Sequence, residues 1–311
     1  MKFKKSYKWL LYRFLEGSFL IFSGLRRSLS PYLFSRLMTP VLKFLIYFVV
    51  PRKRIIKNLG AAFGEAYSVA TKKGLAKGVQ EHFVKNLMDC FLQLDNSNYA
   101  REIVEIQGIE NLDAALAKGN GVIALGAHIG NFVLLGARLG MEGYPFFTLF
   151  RLPPDQRIKS LIARTLPHFH QEIIPSLPKR VAVRQVLSAL KKNEIVFILG
   201  DNLKKGKLQT LLFGQRVPSP RGPVSLALRS GAAVVPLHLI RNYQGGLHLI
   251  VEPEIPMTRN GSLSADIADN TQQIVRYLEN LIRSYPDQWN WLTVRMKKYQ
   301  AESGPQQPTT V

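Results

Sequence analysis

Short apolar runs alternate with stretches of helical periodicity through most of this chain, and this alternation restricts its fold more than any other feature. The runs typical of strands occupy residues 121–125, 146–150, 172–174, 194–199, 233–240 and 247–251. The helical stretches occupy residues 72–94, 131–140, 157–166, 181–192, 224–230 and 264–284. Strands that alternate with helices in this way predict an α/β fold whose mixed, largely parallel sheet is flanked by helices.

The last helical stretch shows which of its faces is buried. Its apolar stripe consists of Ile267, Ile274, Leu278 and Leu281, with Val275 and Ile282 beside it. Apolar residues three and four positions apart lie on one face of a helix. We therefore expect residues 264–284 to form an amphipathic helix that packs on the sheet.

The first fifty residues contain two segments rich in Phe, Leu, Ile, Tyr and Trp, at residues 9–25 and 31–50. Both are interrupted by charged residues or proline: Arg13, Glu16, Arg36, Pro40 and Lys43. Neither segment reaches the roughly eighteen uncharged apolar residues typical of a membrane span. Aromatic residues mixed with basic ones instead favour helices that lie at a membrane interface or insert halfway. The alternative is a pair of buried helices in a soluble domain.

The chain of 311 residues has the length of one large domain or two small ones, and no linker rich in proline, glycine and serine divides its middle. We expect an N-terminal membrane-associating helical module at residues 1–60 and one catalytic α/β domain at residues 61–302. Residues 303–311 are polar and contain proline, which predicts a disordered tail.

The balance of charge narrows the choice of partners. Lysine and arginine outnumber the acidic residues by 42 to 21, which gives a formal net charge of +21. Such an excess suits an anionic membrane surface, an acidic protein or nucleic acid. The chain shows no helix-turn-helix pattern, zinc-ligand spacing or aromatic-basic RNA-binding signature, so nucleic acid is not the expected partner. Its single cysteine, Cys90, excludes an internal disulfide and fits a reducing compartment.

The most informative stretch for chemistry runs from residue 119 to residue 136. A predicted strand ends near Ala127, and His128 follows at its carboxyl end, where open α/β sheets bind their ligands. Gly130 and Asn131 then form a turn, with Asn131 suited to cap the next helix. Because the ordinary pKa of histidine is about 6.5, His128 is a candidate general base near neutral pH.

Six motifs follow one another along the chain. They are RKRIIKNLGAAF at 52–63, HIGNF at 128–132, GYPFFTLFR at 143–151, VFILGDN at 196–202, a Phe-Gly loop with a Gly-Pro helix start within 211–241, and YPDQWNWLTVR at 285–295. In order and approximate spacing they resemble the late acyltransferases of lipid A biosynthesis, the lauroyl and myristoyl transferases of the lysophospholipid acyltransferase superfamily. The resemblance implies a glycerolipid acyltransferase-like fold.

The resemblance breaks down at one position of the catalytic motif, which in that superfamily is histidine, four residues, and then aspartate or glutamate. This chain has Val133 at the acidic position. In that family the histidine is the base for a hydroxyl that attacks an acyl thioester, and the carboxylate fixes the imidazole tautomer, as in a Ser-His-Asp arrangement. Three possibilities stay open: another acid, first of all Asp201, orients His128; the histidine works unassisted; or the chain is a catalytically silent lipid-binding relative. Asp201 alternatively caps a turn with Asn202.

Charge, position and the resemblance together give a set of candidate substrate-binding residues. They are Gly130, Asn131, Arg151, Arg164, Asn202, Arg221 and Gly222. The three arginines suit phosphate oxygens of a glycolipid or phospholipid acceptor, or are ordinary solvated side chains. Gly222 begins a helix whose free backbone N–H groups are suited to bind an anion or to stabilise the oxyanion of the thioester.

No pattern in the chain requires a metal or a bound cofactor. The glycines around His128 lack the spacing of a dinucleotide-binding loop. Four remaining histidines are expected to be structural, because none has an acid or cysteine at metal-ligand spacing: His168, His170, His238 and His248. Trp289 and Trp291 are expected to be core anchors and not substrate contacts.

The residues and the resemblance together predict an O-acyltransferase at the cytoplasmic face of a bacterial inner membrane. Its expected donor is an acyl thioester of acyl carrier protein or coenzyme A, and its expected acceptor is a hydroxyl of a lipid A precursor or a related membrane lipid. The alternative, favoured by Val133, is a silent lipid-binding relative that keeps the fold.

Overall fold

The computed structural model describes Gly17, residues 20–204, Gly206 and residues 208–296. The helices are α1 (residues 20–28), α2 (Pro31–Val49), α3 (Arg52–Phe63), α4 (Val69–Asp95), α5 (Tyr99–Ile103), α6 (Ile109–Leu116), α7 (Phe132–Met141), α8 (Gln156–Thr165), α9 (Lys179–Lys191), α10 (Gly222–Ser230) and α11 (Leu263–Ser284). The strands are β1 (Val104–Gln107), β2 (Val122–Gly126), β3 (Phe146–Phe150), β4 (Glu172–Pro175), β5 (Ile195–Leu199), β6 (Leu208–Leu212), β7 (Gln215–Ser219), β8 (Ala233–Arg241) and β9 (Leu247–Val251).

Seven of the strands form one sheet in the order β1-β9-β8-β2-β5-β3-β4. Its neighbours pair in parallel, except that β8 and β9 are antiparallel. β6 and β7 form a separate antiparallel hairpin. The predicted α/β class with a mixed, largely parallel sheet is confirmed.

Each predicted strand is present, with ends that differ by no more than one residue from the expected ones. Elements that were not predicted include β1, the short helices α5 and α6, and the β6–β7 hairpin. β1 has four residues at the edge of the sheet, and the hairpin strands mix buried and exposed positions with Pro218 inside β7. Such short, half-buried strands lack the continuous apolar run that marks a buried one.

The sheet separates two layers of core. Along β2, Ile123 and Leu125 belong to one cluster of buried side chains, whereas Val122 and Ala124 belong to the other. Successive side chains of a strand point to opposite faces, so a central strand covered on both sides is apolar throughout. On one face lies the predicted stripe of α11, with Ile274, Val275, Leu278 and Ile282 buried, and on the other lies α7, with Leu134 and Leu135 fully buried.

The helix α2 packs against α4 through one side only. Phe34, Leu42 and Ile46 are buried, whereas several large apolar residues are exposed: Tyr32, Leu33, Leu37, Val41, Phe44, Tyr47, Phe48 and Val49. Among the described residues, α2 is the helix that is long and apolar enough, by length and composition, to cross a membrane. Most of the predicted first segment at residues 9–25, and the predicted tail at 303–311, lie outside the described residues.

The predicted boundary at residue 60 falls inside α3. Ile55 and Leu59 of that helix are fully buried in the main core, and the side-chain amide of Asn58 donates a hydrogen bond of 2.7 Å to the carbonyl of Trp291. α3 therefore packs with the α/β body and not only with the N-terminal helices.

Candidate active site

A sharp turn after β2 places His128 at the edge of the sheet. Gly130 has a φ of 54°, a left-handed conformation that glycine adopts without strain. A Cβ at this position would overlap the carbonyl oxygen of Leu239. The backbone N–H of Gly130 donates to the carbonyl of Gln288 (3.1 Å), and its carbonyl accepts from the side-chain amide of Asn86 (2.7 Å). The turn thus requires glycine, and both polar backbone groups of Gly130 are already paired.

Asn131 caps the helix α7 that follows this turn. Its Oδ1 accepts from the backbone N–H of Leu134 (3.3 Å), and its Nδ2 donates to the carboxylate of Asp89 (3.0 Å). Asp89 also pairs with Arg241 and accepts from the hydroxyl of Tyr99 (3.2 Å). Burial raises the pKa of the Asp89 carboxyl, although these three partners oppose the effect. The amide of Asn131 is thus engaged by the protein, and the buried network fixes the start of α7.

Asp201 lies against His128 because β2 and β5 are adjacent parallel strands. The Nδ1 atom of His128 lies 2.7 Å from Oδ1 of Asp201, and its backbone N–H donates to Oδ2 (2.8 Å). The indole N–H of Trp289 also donates to Oδ2 (2.8 Å). Asp201 and Trp289 are both fully buried. Three donors therefore hold a buried carboxylate beside the imidazole.

The ionisation of this pair follows from burial and mutual attraction. Burial disfavours the charged form of Asp201, but the charge and hydrogen bonds of His128, with the Trp289 donor, hold the pKa of the carboxyl below its ordinary value. Burial likewise disfavours the charged imidazole, yet Asp201 overcomes this effect and raises the pKa of His128. With Nδ1 held by the carboxylate, Nε2 of His128 has no hydrogen-bond partner among the described residues.

A largely apolar cavity of about 180 Å³ opens beside His128. Its other walls come from α4, from the start of α7 and from the segment after α11, with polar contributions from His82, Asn86, Gln288 and Asn290. Val133 lines this cavity and is 38% exposed. Burial raises the pKa of Cys90, also on the wall, to about 12, so its thiol stays protonated.

The structure brings together only part of the predicted set. Gly130, Asn131 and His128 line one cavity, and Asp201 lies behind the histidine. The other predicted residues do not line it: Arg151, Arg164, Asn202, Arg221 and Gly222. Arg151 and Arg164 each line a separate cavity, whereas Asn202, Arg221 and Gly222 are exposed. These positions are therefore not first contacts for a molecule bound at His128 in this conformation.

Two contributions were missed from the sequence. Trp289 is buried in the core, as expected, but its indole N–H also donates a hydrogen bond to Asp201, which was not expected. His82 lies on the cavity wall with its Nε2 3.4 Å from the carboxylate of Asp287. No local signal marks either residue, since the partners are 88 and 205 positions away along the chain.

This arrangement is suited to remove a proton from a hydroxyl. A carboxylate that binds Nδ1 selects the tautomer with a bare Nε2, and it stabilises the imidazolium that forms on proton transfer. The apolar cavity wall is suited to a hydrocarbon chain. Within the described residues, no three His, Cys, Asp or Glu side chains are grouped in a way that could hold a metal ion.

Comparisons with known proteins complete the description. The family model for bacterial lipid A biosynthesis acyltransferases matches residues 1–298. A phosphatidylinositol mannoside acyltransferase of Mycobacterium tuberculosis (strain ATCC 25618 / H37Rv) is 30% identical over 194 residues, which are 60% of this chain and 58% of that protein. A lipid A biosynthesis palmitoleoyltransferase of Escherichia coli (strain K12) is 24% identical over 201 residues, which are 63% of this chain and 62% of that protein.

Each match therefore spans less than two thirds of the curated relative. Among solved structures, the 1-acyl-sn-glycerophosphate acyltransferase of Thermotoga maritima superposes with a TM-score of 0.37 and 11% identity, covering 80% of this chain and 98% of that one.

Proposed function

Because this chain belongs to the bacterial lipid A biosynthesis acyltransferase family, we propose that it transfers a fatty acyl chain from an acyl thioester to a hydroxyl group of a membrane lipid. One observation carries the proposal: Asp201 holds the imidazole of His128 beside an apolar cavity, and Nε2 of this imidazole has no hydrogen-bond partner among the residues that the structure describes. His128 is the general base and Asp201 its positioning acid.

The reaction follows from this geometry. Nε2 of His128 accepts the proton of the acceptor hydroxyl while the hydroxyl oxygen attacks the thioester carbonyl carbon. The carboxylate of Asp201 stabilises the imidazolium, which burial would otherwise disfavour. When the tetrahedral intermediate collapses, the carbon–sulfur bond breaks and the proton passes from His128 to the departing thiolate. The products are an ester and a free thiol.

The acceptor is a glycolipid in this proposal, with a lipid A precursor as the first candidate. One relative is named for lipid A and another for phosphatidylinositol mannoside. Both names point to a lipid acceptor, and a histidine base serves transfer to a hydroxyl group of such an acceptor. A related membrane lipid with a free hydroxyl would use the same steps.

The donor and the location follow from charge and exposure. A net charge of +21 favours an acidic carrier protein as the thioester donor over the smaller coenzyme A, and it favours an anionic membrane surface. The exposed apolar side of α2 provides the membrane attachment. We place the protein at the cytoplasmic face of the inner membrane, where acyl thioesters are available.

The competing function is a silent lipid-binding relative, because Val133 replaces the acid of the family motif. The contact of Asp201 with both Nδ1 and the backbone N–H of His128 favours the enzyme, since it supplies an acid from another strand. A silent relative would have no need to keep a desolvated carboxylate beside the imidazole.

The test is transfer of labelled acyl chains into membrane lipids by the purified full chain, with acyl carrier protein and coenzyme A thioesters supplied separately. We expect transfer by the wild type and its loss in His128→Ala, while His248→Ala, a change on β9 outside the cavity, stays active. Absence of transfer from every donor, with lipid binding intact, would establish the silent relative instead.

A further inference from the structure

A second cavity, of about 260 Å³, lies between α1, the end of α4 and α8. Among the described residues it shares no lining side chain with the cavity at His128. Basic residues dominate its polar wall: Arg26, Arg27, Arg164 and His168. The cavity is therefore a separate place in the fold with its own charge.

The positive charge of this cavity is only partly compensated. Asp95, the acidic residue of its wall, pairs with Arg26 at 2.7 Å. The Nε of Arg164 donates a hydrogen bond to the carbonyl of Ser160 (3.3 Å), and its terminal guanidinium nitrogens have no partner among the described residues. Arg27 has no ion pair or hydrogen bond there either. Among the described residues, the guanidinium groups of Arg27 and Arg164 thus line the cavity without an anionic partner.

Within the described part of the chain, two buried polar atoms on the same wall also lack a partner. They are the hydroxyl of Ser23 and the Nε of Arg26, and Arg26 is 7% exposed. Buried donors without an acceptor are unfavourable, so they indicate a group that binds there. Oxygen atoms of an anion provide the acceptors that both donors need.

The surroundings of the cavity are apolar and exposed. α1 presents Leu20, Ile21 and Leu25 to solvent, and α2, the next helix along the chain, also has an exposed apolar side. A small anion such as free phosphate makes no use of such a surface. A molecule with an anionic head and hydrocarbon chains matches both the basic cavity and the exposed apolar side chains.

We propose that this cavity binds the phosphate of an anionic phospholipid headgroup, with the acyl chains along α1 and α2. The proposal rests on the membrane attachment in the proposed function but not on catalysis. Phe91 of α4 lines this cavity while the preceding residue, Cys90, lines the catalytic one. A headgroup held here therefore fixes the orientation of α4, and with it the entrance to His128, relative to the bilayer.

The experiment measures partition of the full chain into phosphatidylcholine vesicles with and without phosphatidylglycerol. We expect phosphatidylglycerol to strengthen binding and Arg27→Ala/Arg164→Ala to lose more than about 25-fold of that gain. Two basic residues that were only near an anionic surface would account for about 25-fold, at about fivefold each. Arg36→Ala, on the exposed side of α2 outside the cavity, should lose about fivefold or less. Arg27→Lys/Arg164→Lys keeps the charge but loses the paired donors, so it should bind more weakly than the wild type.

Equal binding by the wild type and the Lys pair, with a loss of no more than about 25-fold in the Ala pair, would overturn the proposal in favour of diffuse attraction. Inorganic phosphate that raises the Tm through Arg164 and removes the phosphatidylglycerol effect would show a site for free phosphate instead. His128→Ala should bind vesicles as the wild type does, with the same gain from phosphatidylglycerol. A failure of the proposed catalysis is therefore distinguishable from a failure of the proposed lipid site. Absence of binding to either vesicle would refute the membrane attachment itself.

Discussion

Asp201 holds His128 at two atoms at once, with Oδ1 2.7 Å from Nδ1 and Oδ2 2.8 Å from the backbone nitrogen. The contact joins the ends of two neighbouring parallel strands, whose last residues, Gly126 and Leu199, are register partners. The acid beside the histidine therefore comes from the adjacent strand, while the position five residues after His128 carries a valine.

Asp201→Asn should abolish most of the transfer activity while the fold is retained. The amide has nearly the shape of the carboxylate, but it no longer stabilises the imidazolium and favours the wrong tautomer, a change that costs about 10⁴-fold in kcat in a Ser-His-Asp triad. Acyl transfer rates measured with circular dichroism as a check on folding test this. Near-normal activity in the folded variant would show that His128 works unassisted.

The pH dependence of transfer should follow the raised pKa of His128. The base acts in its neutral form, so kcat/KM should rise with pH through a pKa above about 6.5 in the wild type. Asp201→Asn should move this limb to lower pH. The same raised pKa affects stability. The pKa of His128 is higher in the folded protein than in the unfolded chain, so the ion pair stabilises the fold fully below a pH of about 6.5. This stabilisation is lost as the pH rises through the pKa of the folded protein. If the rising limb of kcat/KM lies at the same pH in Asp201→Asn as in the wild type, Asp201 does not raise the pKa of His128.

Gly130→Ala should destabilise the protein much more than Gly143→Ala. Both glycines have positive φ, which costs an alanine about 1–2 kcal/mol, but only at Gly130 would the added Cβ overlap a backbone carbonyl. Thermal unfolding of the two variants provides a matched comparison. Similar Tm values for both would show that the turn after His128 can relax.

Val133→Glu should leave the fold intact, because the side chain lines the cavity and is partly exposed. An acid in the first turn of α7 also interacts favourably with the helix dipole, by about 0.3–1 kcal/mol. Leu134→Glu, at a fully buried neighbour, should unfold the protein. Denaturant unfolding of both variants tests the pair. An unfolded Val133→Glu would mean that this position belongs to the core.

The sequence by itself determined the fold class, most elements and the place of His128. Strands such as β2 and β5 are continuous apolar runs and α11 is a regular amphipathic stripe, so each of them is encoded by spacing over a few residues. The carboxyl end of a strand is likewise a local feature, and it identified both His128 and Asp201 as candidates before any contact between them was visible.

Only the tertiary structure decided which candidates meet. The pairing of Asp201 with His128 depends on β2 and β5 being neighbours, and the Trp289 donor comes from a segment 88 residues beyond Asp201. The tertiary structure also places Arg151 and Arg164 in two other cavities, apart from the catalytic one. Strand order and the packing of α4 over the sheet arise from burial summed over the whole core, and no short stretch of residues contains that information.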